Sequence, residues 1–410
     1  MIQRVAIWVA VVALIAYTIE LCYYRADVEL HIDGENDEAF DAVKEAFSAN
    51  FLEGWERGGA SFVVYHNGKK VVDIWGGYAD AESERLWKKD TLNVAFSSTK
   101  AFAALCVAKL SLENTEKKTL LFVGYLATEF SAGLAYTDRK IHFPIANDWK
   151  AIGEVFEEQV PNWPPGTQIG YHAITYGWLV DQIIRRVDPQ HRSVGVFFKE
   201  EFADKYNLDF YIGLPKCESQ RVSRLTLPSA YNFMEEYLYR PSDFDVTRFV
   251  YHMATDGLLS KVGHNVPWIA FMKRMTLNNP DLYGIEQAAV LGIGTSRAMA
   301  ELFERFRLGE LVSPATFKEL TTNFLQQRDI VTGANVPRGP GFMIKKFVHN
   351  NVIVELLGHA GYGGQNVRVD LKNNITFAYM SNGLKVGFGD TARTYTRLLD
   401  ALYDVILPSQ

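Results

Sequence analysis

The chain has 410 residues, of which 48% are hydrophobic and 13% aromatic, so it can bury the core of one large or two moderate globular units. Its net charge of −6 provides no basic stripe for phosphate groups, which excludes nucleic acid as a main partner. The three cysteines, Cys22, Cys106 and Cys217, are too few and too scattered for a disulfide framework or a zinc cluster. No metal site is readable, and the Gly-Ile-Gly run at 292–294 lacks the third glycine of a dinucleotide-binding loop, so we expect neither a metal nor a cofactor.

The N-terminus carries an apolar run that predicts a membrane segment. Residues 5–19 contain no charged side chain, and counting on to residue 24 gives the length that spans a bilayer. A cleaved signal peptide is the alternative because the uncharged core is also short enough for one, but no A-x-A cleavage site follows it. We therefore expect residues 1–25 to be an anchor or signal segment. The expected topology is a single pass at 5–24 with the domain lumenal or extracellular, whereas cleavage would make the protein secreted.

The spacing of apolar residues predicts three stretches beyond this segment. The first has a helix at 37–49 followed by strands at 60–65 and 70–75, joined by an Asn67-Gly68 turn that is typical of a β-hairpin. The middle of the chain is mostly helical, and its end returns to strands before a closing helix. The predicted helices of the middle lie at 174–187, 243–253, 266–275 and 296–308, the late strands at 342–348, 352–357, 365–371 and 375–380, and the closing helix at 391–406.

This order of elements predicts an α+β fold. Sequential antiparallel strands tend to join one sheet, so both ends of the domain are expected to contribute to the same antiparallel sheet, flanked by terminal helices. The central helices then form an inserted, mostly helical lobe. We expect one domain over 36–407, with its sheet part at 36–100 and 340–407 and its helical lobe at 101–339. A small-molecule site is expected in the cleft between the two parts.

Ser97 and Lys100 form the only S-x-x-K sequence of the chain, at a point where a strand pattern gives way to a helix. Helical spacing places the two side chains on one face, so the Ser97 hydroxyl and the Lys100 amine can meet. A lysine that burial has deprotonated can accept the serine proton, and the amides of the first helical turn can stabilise an oxyanion. The alternative is that the serine only caps the helix.

Two further stretches are expected to face the same cleft. Tyr171 follows a rigid Trp-Pro-Pro-Gly turn and can act as a proton acceptor where cations lie near it. His359 lies in a glycine-rich run at 358–364 between two late strands, where glycine allows a close approach of the backbone. Each has a plainer explanation, because Tyr171 is one of twenty tyrosines and His359 can be a hydrogen-bonded histidine at a strand edge.

Together these motifs resemble the serine β-lactamase and penicillin-binding-protein superfamily. The shared features are an S-x-x-K at a helix start, a tyrosine after a P-x-W-P-P-G-T turn, and an H-x-G beside a late strand. The closer likeness is to the class C-like esterase branch and to the animal β-lactamase domain-containing proteins, and it implies a β-lactamase/transpeptidase-like fold. Supporting stretches lie at 75–80, 170–178, 210–215, 294–300 and 358–365, so the resemblance covers nearly everything outside the N-terminal segment.

The resemblance implies a function and the residues that perform it. Ser97 would be the nucleophile that forms an acyl-enzyme, Lys100 its activating partner, and Tyr171 a proton relay with Lys100. The implied protein is a membrane-anchored serine hydrolase, esterase or peptidase-like, that acts on a small-molecule ester or amide.

The third motif of the superfamily corresponds to His359–Gly361, and the oxyanion hole to the backbone N–H groups of Ser97 and Tyr362. Many members have a lysine where this chain has His359, and an asparagine where it has Ala173. A histidine is often neutral at pH 7 and binds a β-lactam carboxylate less well than a lysine does. Both departures favour an esterase or a peptidase over an antibiotic-hydrolysing enzyme.

The segment at 111–130 is shorter than is usual in the superfamily, and it lies on the exit of the helix that begins near Ser97. This leaves a catalytically inactive scaffold or binding protein as one alternative. A true β-lactamase or peptidoglycan-directed enzyme is another, which His359 disfavours. The oligomeric state is not specified. Asn374-Ile375-Thr376 is the one N-glycosylation sequon, and it reports on topology if the domain is lumenal.

Overall fold

The computed structural model describes residues 15, 18, 30–113, 131–239, 255, 257–270, 274–386 and 389–408. The predicted membrane segment at 5–24 lies outside the described residues apart from positions 15 and 18. The predicted helix at 243–253 and residues 114–130 of the shortened segment also lie outside them. None of the helices that the described residues form is both long and apolar enough to cross a membrane.

Strands and helices follow one another in nearly the order that the apolar patterns predict. The strands of the described residues are β1 (Ile32–Asn36), β2 (Gly59–His66), β3 (Lys69–Asp80), β4 (Arg85–Leu86), β5 (Asn93–Val94), β6 (Phe210–Ile212), β7 (Gly292–Gly294), β8 (Met343–His349), β9 (Val352–Ala360), β10 (Asn366–Asp370) and β11 (Ile375–Ser381). The helices of the same residues are α1 (Asp41–Leu52), α2 (Thr99–Glu113), α3 (Phe143–Ala146), α4 (Trp149–Glu158), α5 (Thr175–Val187), α6 (Val194–Phe198), α7 (Asp204–Tyr206), α8 (Ala230–Tyr239), α9 (Leu258–His264), α10 (Ser296–Arg307), α11 (Pro314–Thr322) and α12 (Arg393–Ile406).

One antiparallel sheet unites the two ends of the chain. Its strands run in the order β1-β3-β2-β11-β10-β9-β8, and β4 extends it beside β3. The central pair is β2 with β11, in which Phe62 lies opposite Tyr379. The β2–β3 hairpin turns at Asn67 and Gly68, whose φ values of 52° and 85° are those that this two-residue turn requires. The predicted α+β fold with a shared sheet is confirmed.

Helices cover both faces of this sheet. On one face α1 and α12 pack against each other and against the central strands, through side chains that are essentially fully buried: Val43, Phe47, Leu398, Leu402 and Tyr403. Burying a side chain of this size stabilises a fold by about 1.5–3 kcal/mol. On the other face α10 packs against β2, β10 and β11. The larger apolar cluster of the helical lobe continues from that layer, so the sheet lies between two cores.

A second, three-stranded sheet connects the lobe to the start of α2. Its order is β5-β7-β6, and its strands come from parts of the chain that are far apart in sequence. The Ala95 N–H donates to the carbonyl of Gly292 at 2.8 Å, so β7 also holds the residues that follow β5. This sheet fixes the approach of the chain to Ser97.

The predicted helix at 266–275 is wrong for the residues of that stretch that the structure describes, 266–270 and 274–275. Helix α9 ends at His264, and a turn follows it. The Asn265 side chain binds the Thr137 backbone, and the Trp268 indole N–H donates to the carbonyl of Ile141 at 3.1 Å. These tertiary hydrogen bonds hold the buried apolar residues of the stretch in a turn, although their spacing alone favours a helix.

Candidate active site

Ser97 lies in a tight turn between β5 and α2. The turn is a single 3-10 segment, Phe96–Ser98, and Phe96 has a positive φ of 46°, which is rare for a residue with a side chain. The Thr99 hydroxyl donates to the Phe96 carbonyl at 2.6 Å and accepts from the Gly292 N–H at 3.0 Å. These bonds fix the strained turn, and they hold the half-buried Ser97 directly before the first turn of α2.

Lys100 points its amine at Ser97 from one turn further along. The side chain is buried, and its Nζ lies 3.3 Å from the Ser97 Oγ. It also donates to the carbonyls of Ala173 at 2.8 Å and Ala289 at 3.1 Å. Three acceptors therefore hold the amine in place. At Ala173, where many superfamily members have an asparagine, the backbone carbonyl binds Lys100.

Tyr171 approaches Ser97 from the loop before α5. Its hydroxyl donates to the Ser97 Oγ at 2.8 Å, and the Lys100 Nζ lies 4.9 Å from the centre of its ring. The neighbouring His172 fixes the loop, because its Nδ1–H donates to the Gly170 carbonyl at 2.7 Å and its Nε2 accepts from the Leu134 N–H at 2.9 Å. The Ser97 hydroxyl is thus bracketed by a phenol and an amine.

His359 lies on β9 beside Tyr171, with its side chain almost completely buried. The two rings stack with their centres 6.4 Å apart. The His359 Nδ1 is 2.6 Å from the Ala360 carbonyl, so Nδ1 carries the proton. Burial, and after it the positive charge of Lys100, holds the pKa of His359 well below its usual range. The imidazole is therefore neutral at pH 7.

Gly361 and Tyr362 bring the end of β9 against the Ser97 turn. A Cβ on Gly361 would lie 2.5 Å from the Ala95 carbonyl oxygen, so only glycine fits there. The Ser98 hydroxyl donates to the His359 carbonyl at 3.2 Å across the same contact. The Tyr362 ring packs 5.6 Å from the Phe96 ring, and burial raises the pKa of its phenol.

All six predicted site residues are thus brought together around the Ser97 turn, whereas their catalytic roles stay predictions. Sequence reasoning missed Gln287, which positions the Ala289 carbonyl that binds Lys100. The Gln287 side chain donates to the Ile174 carbonyl at 2.6 Å and accepts from the Ala289 N–H at 2.7 Å. No motif marks this residue, because its contribution is the path of a loop backbone.

Arg338 was missed as well. Its guanidinium lies 5.2 Å from the centre of the Tyr171 ring and forms a buried ion pair with Asp329 at 3.1 Å. The only sequence signal is an arginine in the run Pro-Arg-Gly-Pro-Gly at 337–341. Such a run lacks the apolar periodicity that predicts helices and strands, so the position of its charged side chain was not predicted.

Comparison with known proteins identifies the family. A model of the protein family described as Beta-lactamase matches residues 47–117 and 127–401. The chain belongs to this family. Its sequence is 25% identical over 381 residues to Esterase/beta-lactamase LipL of Mycobacterium tuberculosis (strain ATCC 25618 / H37Rv), a match that covers 87% of this chain and 84% of that protein.

Solved structures of the family superpose on nearly the whole chain. A novel penicillin-binding protein homolog from Caulobacter crescentus gives a TM-score of 0.74 at 29% identity, with 92% of this chain and 100% of that one covered. A family VIII carboxylesterase gives a TM-score of 0.73 at 26% identity, with the same 92% and 100% coverage. The β-lactamase-type fold and superfamily are confirmed, and the chain is a serine hydrolase of the β-lactamase-related type. Its placement in the class C-like branch and among the animal proteins stays a prediction.

Proposed function

We propose that this protein hydrolyses small-molecule esters or amides through an acyl-enzyme on Ser97, as a member of the class C-like esterase branch. The observation that carries the proposal is the arrangement at the Ser97 Oγ. This atom accepts a hydrogen bond from the Tyr171 hydroxyl at 2.8 Å and one from the Lys100 Nζ at 3.3 Å. A serine is a weak nucleophile until a positioned base removes its proton, and both neighbours can serve.

The acylation step follows from these contacts. Loss of one proton from the Lys100–Tyr171 pair leaves either a neutral amine or a phenolate beside the Ser97 Oγ, and either can take the serine proton. The Ser97 oxygen attacks the substrate carbonyl, and the N–H groups of Ser97 and Tyr362 are proposed to stabilise the resulting oxyanion. The carbonyl carbon then loses its alcohol or amine, which leaves with the proton that the pair had taken. Water repeats the sequence on the acyl-enzyme and releases the acid.

The neutral His359 bears on the class of substrate. Superfamily members with a lysine at this position place a positive charge in the third motif, whereas the His359 imidazole has none at pH 7. The imidazole therefore supplies no charge to a substrate carboxylate. This favours an uncharged ester or amide over a β-lactam.

The test is activity-based labelling of the full-length protein with a fluorophosphonate. The Ser97 oxygen attacks phosphorus and displaces fluoride, which leaves a stable covalent adduct. Wild-type protein is expected to label, and Ser97→Ala to lose labelling completely. Lys100→Ala is expected to label at least about 10²-fold more slowly, because general-base assistance is worth that much.

Ser98→Ala is the matched control, since it removes a neighbouring hydroxyl that binds the His359 carbonyl and not the base pair. This variant is expected to keep its labelling. Persistent labelling of Ser97→Ala would refute the role of that residue. A folded wild-type protein that does not label would instead favour the inactive scaffold that the short 111–130 segment suggested.

We further propose that residues 5–24 anchor the protein in a membrane, with a lumenal or extracellular hydrolase domain at 36–407. The uncharged run at 5–19 supports the anchor, and the absence of a cleavage site after it argues against secretion. Within the domain we propose a sheet part at 36–100 and 340–407 and a helical lobe at 101–339. The glycosylation state of Asn374 tests the topology.

A further inference from the structure

Arg338 is a second cation, besides Lys100, that lies over the ring of Tyr171. The loop between α11 and β8 carries it, and its backbone pairs with Leu325 through two hydrogen bonds of 3.0 and 2.8 Å. The guanidinium lies 5.2 Å from the centre of the Tyr171 ring, and the residue is only 5% exposed. A cation at this distance from an aromatic ring is attracted by the ring face.

Asp329 holds the Arg338 guanidinium through a buried ion pair. Its Oδ2 lies 3.1 Å from the Arg338 Nη2, and the carboxylate is fully buried. Its Oδ1 accepts the N–H groups of Val331 at 2.9 Å and Thr332 at 2.7 Å. A buried ion pair is a poor source of stability compared with apolar packing, because both charges lose their hydration. Stability alone therefore does not explain why this ion pair lies next to Tyr171.

Among the residues that the structure describes, titratable groups face Tyr171 from three parts of the fold. Lys100 faces it from α2 at 4.9 Å, and Arg338 faces it from the α11–β8 loop at 5.2 Å. His359 stacks on it from β9 and is neutral, and Asp329 is the ion-pair partner of Arg338. The ring is thus flanked by two cations and an uncharged imidazole.

We propose that Arg338 is a positioning residue whose charge promotes the loss of the proton from the Lys100–Tyr171 pair, so that the base form exists at lower pH. This inference rests on the proposed acyl-enzyme chemistry at Ser97. A neighbouring cation favours a phenolate over a phenol and a neutral amine over an ammonium. Its effect therefore has the same sign whichever of the two groups gives up the proton.

The experiment measures the second-order rate of fluorophosphonate labelling of the full-length protein from about pH 5 to pH 10, a range that brackets the ionisation of a catalytic base. Wild-type protein is expected to show a rate that rises with pH to a plateau. Arg338→Gln is expected to move this rise to higher pH by about one unit, the lower end of what one adjacent charge does to an ionisable group. The rate on the alkaline plateau is expected to stay near that of the wild type.

Arg338→Lys keeps the charge and is expected to restore most of the wild-type profile. Arg305→Gln is the matched control, because Arg305 also lies over a tyrosine ring, that of Tyr206 at 4.6 Å, but on the outer part of α10. Its profile is expected to match that of the wild type.

Arg338→Gln leaves Asp329 buried without its partner, so thermal unfolding is measured alongside. If that variant does not fold, Arg338→Gln combined with Asp329→Asn removes both charges and carries the test. It is expected to shift the rise upward by a smaller amount, because the loss of the Asp329 charge offsets part of the loss of Arg338, the charge that contacts the ring. A uniform loss of rate without a shift, in whichever variant folds, would overturn the proposal. A wild-type protein that never labels would refute the Ser97 chemistry itself, which is a separate result.

Discussion

His359 carries a proton on Nδ1 and a lone pair on Nε2, and the protein interior encloses both. The Nδ1–H is used by the Ala360 carbonyl, whereas the Nε2 has no hydrogen-bond partner among the described residues. Protonation of Nε2 would create a buried cation close to Lys100, with Arg368 and Arg338 also repelling it. The fold thus keeps a histidine neutral at a position where related enzymes place a positive charge.

This neutrality predicts a pH dependence of stability. The unfolded chain takes up a proton on His359 below a pH of about 6.5, the ordinary pKa of histidine, whereas the folded chain takes it up only at much lower pH. The free energy of unfolding therefore falls as the pH drops below that value, by about 1.4 kcal/mol per pH unit from this one group. His359→Gln is expected to remove that part of the dependence, measured by urea unfolding at pH 7 and pH 5.

His264→Gln, a change at an exposed histidine of α9, provides the matched control and is expected to keep the wild-type dependence. The comparison uses the change in the free energy of unfolding between the two pH values, so a constant loss of packing in His359→Gln does not affect it. An unaltered difference in that variant would contradict the buried, neutral state of His359.

The contact between the end of β9 and the turn before α2 is the element that joins the third motif to Ser97. The approach is close because Gly361 has no side chain, and its N–H donates to the Gln365 carbonyl at 2.7 Å. The Gln365 side-chain amide in turn forms two hydrogen bonds, of 2.8 and 2.9 Å, with the backbone of Ser381. The position of β9 relative to Ser97 is therefore set by backbone proximity and by a buried amide.

Gly361→Ala is expected to disrupt this contact. The new methyl group would lie 2.5 Å from the Ala95 carbonyl oxygen, so β9 and the Ser97 turn must separate. A displacement of about 1 Å at a catalytic group costs on the order of 10²-fold in rate. The labelling rate is expected to fall by that factor, with a lowered thermal unfolding midpoint. Gly263→Ala in α9, where an added Cβ meets no atom within 4 Å, is expected to leave both unchanged; a fully active Gly361→Ala would refute the steric role.

The elements that sequence patterns predicted are those with a local signal. The β2–β3 hairpin is encoded in Asn67-Gly68, and α10 begins where its cap, Thr295, accepts the Ala298 N–H at 3.1 Å. Strands β5, β6 and β7 have two or three residues each, too few to display a period, so the small sheet was not predicted. The apolar residues at 266–275 have helical spacing, but tertiary hydrogen bonds hold the described part of that stretch in a turn.

The residues of the candidate site also divide into those that a local sequence signal predicted and those that it did not. Ser97 and Lys100 are three residues apart where a 3-10 turn runs into α2, so helical spacing was enough to predict their meeting. The patterns placed Tyr171 and His359 only loosely, on the same cleft. Their roles beside Ser97 came from the resemblance, because nothing local says that these distant residues meet. Ala289 and Arg338 contribute a carbonyl and a charge from loops, and such contributions depend on tertiary packing that no motif records.

At the scale of the whole molecule, a buried ion pair joins the two ends of the domain. Glu56, which follows α1, forms a buried ion pair of 2.7 Å with Lys385, which follows β11. The Ser381 hydroxyl donates to the same carboxylate at 2.7 Å. The β10–β11 hairpin extends from this junction, and at its turn Asn374 is exposed. The hairpin therefore exposes Asn374, the first residue of the sequon, at the surface of the sheet to which both ends of the domain contribute.

The proposed lumenal topology predicts an N-glycan on Asn374. Its side-chain oxygen accepts a hydrogen bond from the Arg307 guanidinium at 2.9 Å. The side-chain nitrogen, to which a glycan attaches, is therefore available for modification. Thr376 is buried and binds Glu304 at 2.6 Å in the folded sheet, so the sequon must be read before β11 packs, as happens during synthesis. The full-length protein from eukaryotic cells is expected to shift in mobility on glycosidase treatment, and Asn374→Gln to abolish the shift.

Asn351→Gln is the matched control, at an exposed turn residue whose φ of 61° resembles the 55° of Asn374, and it is expected to preserve the shift. A wild-type protein without any shift would contradict the lumenal placement of the domain.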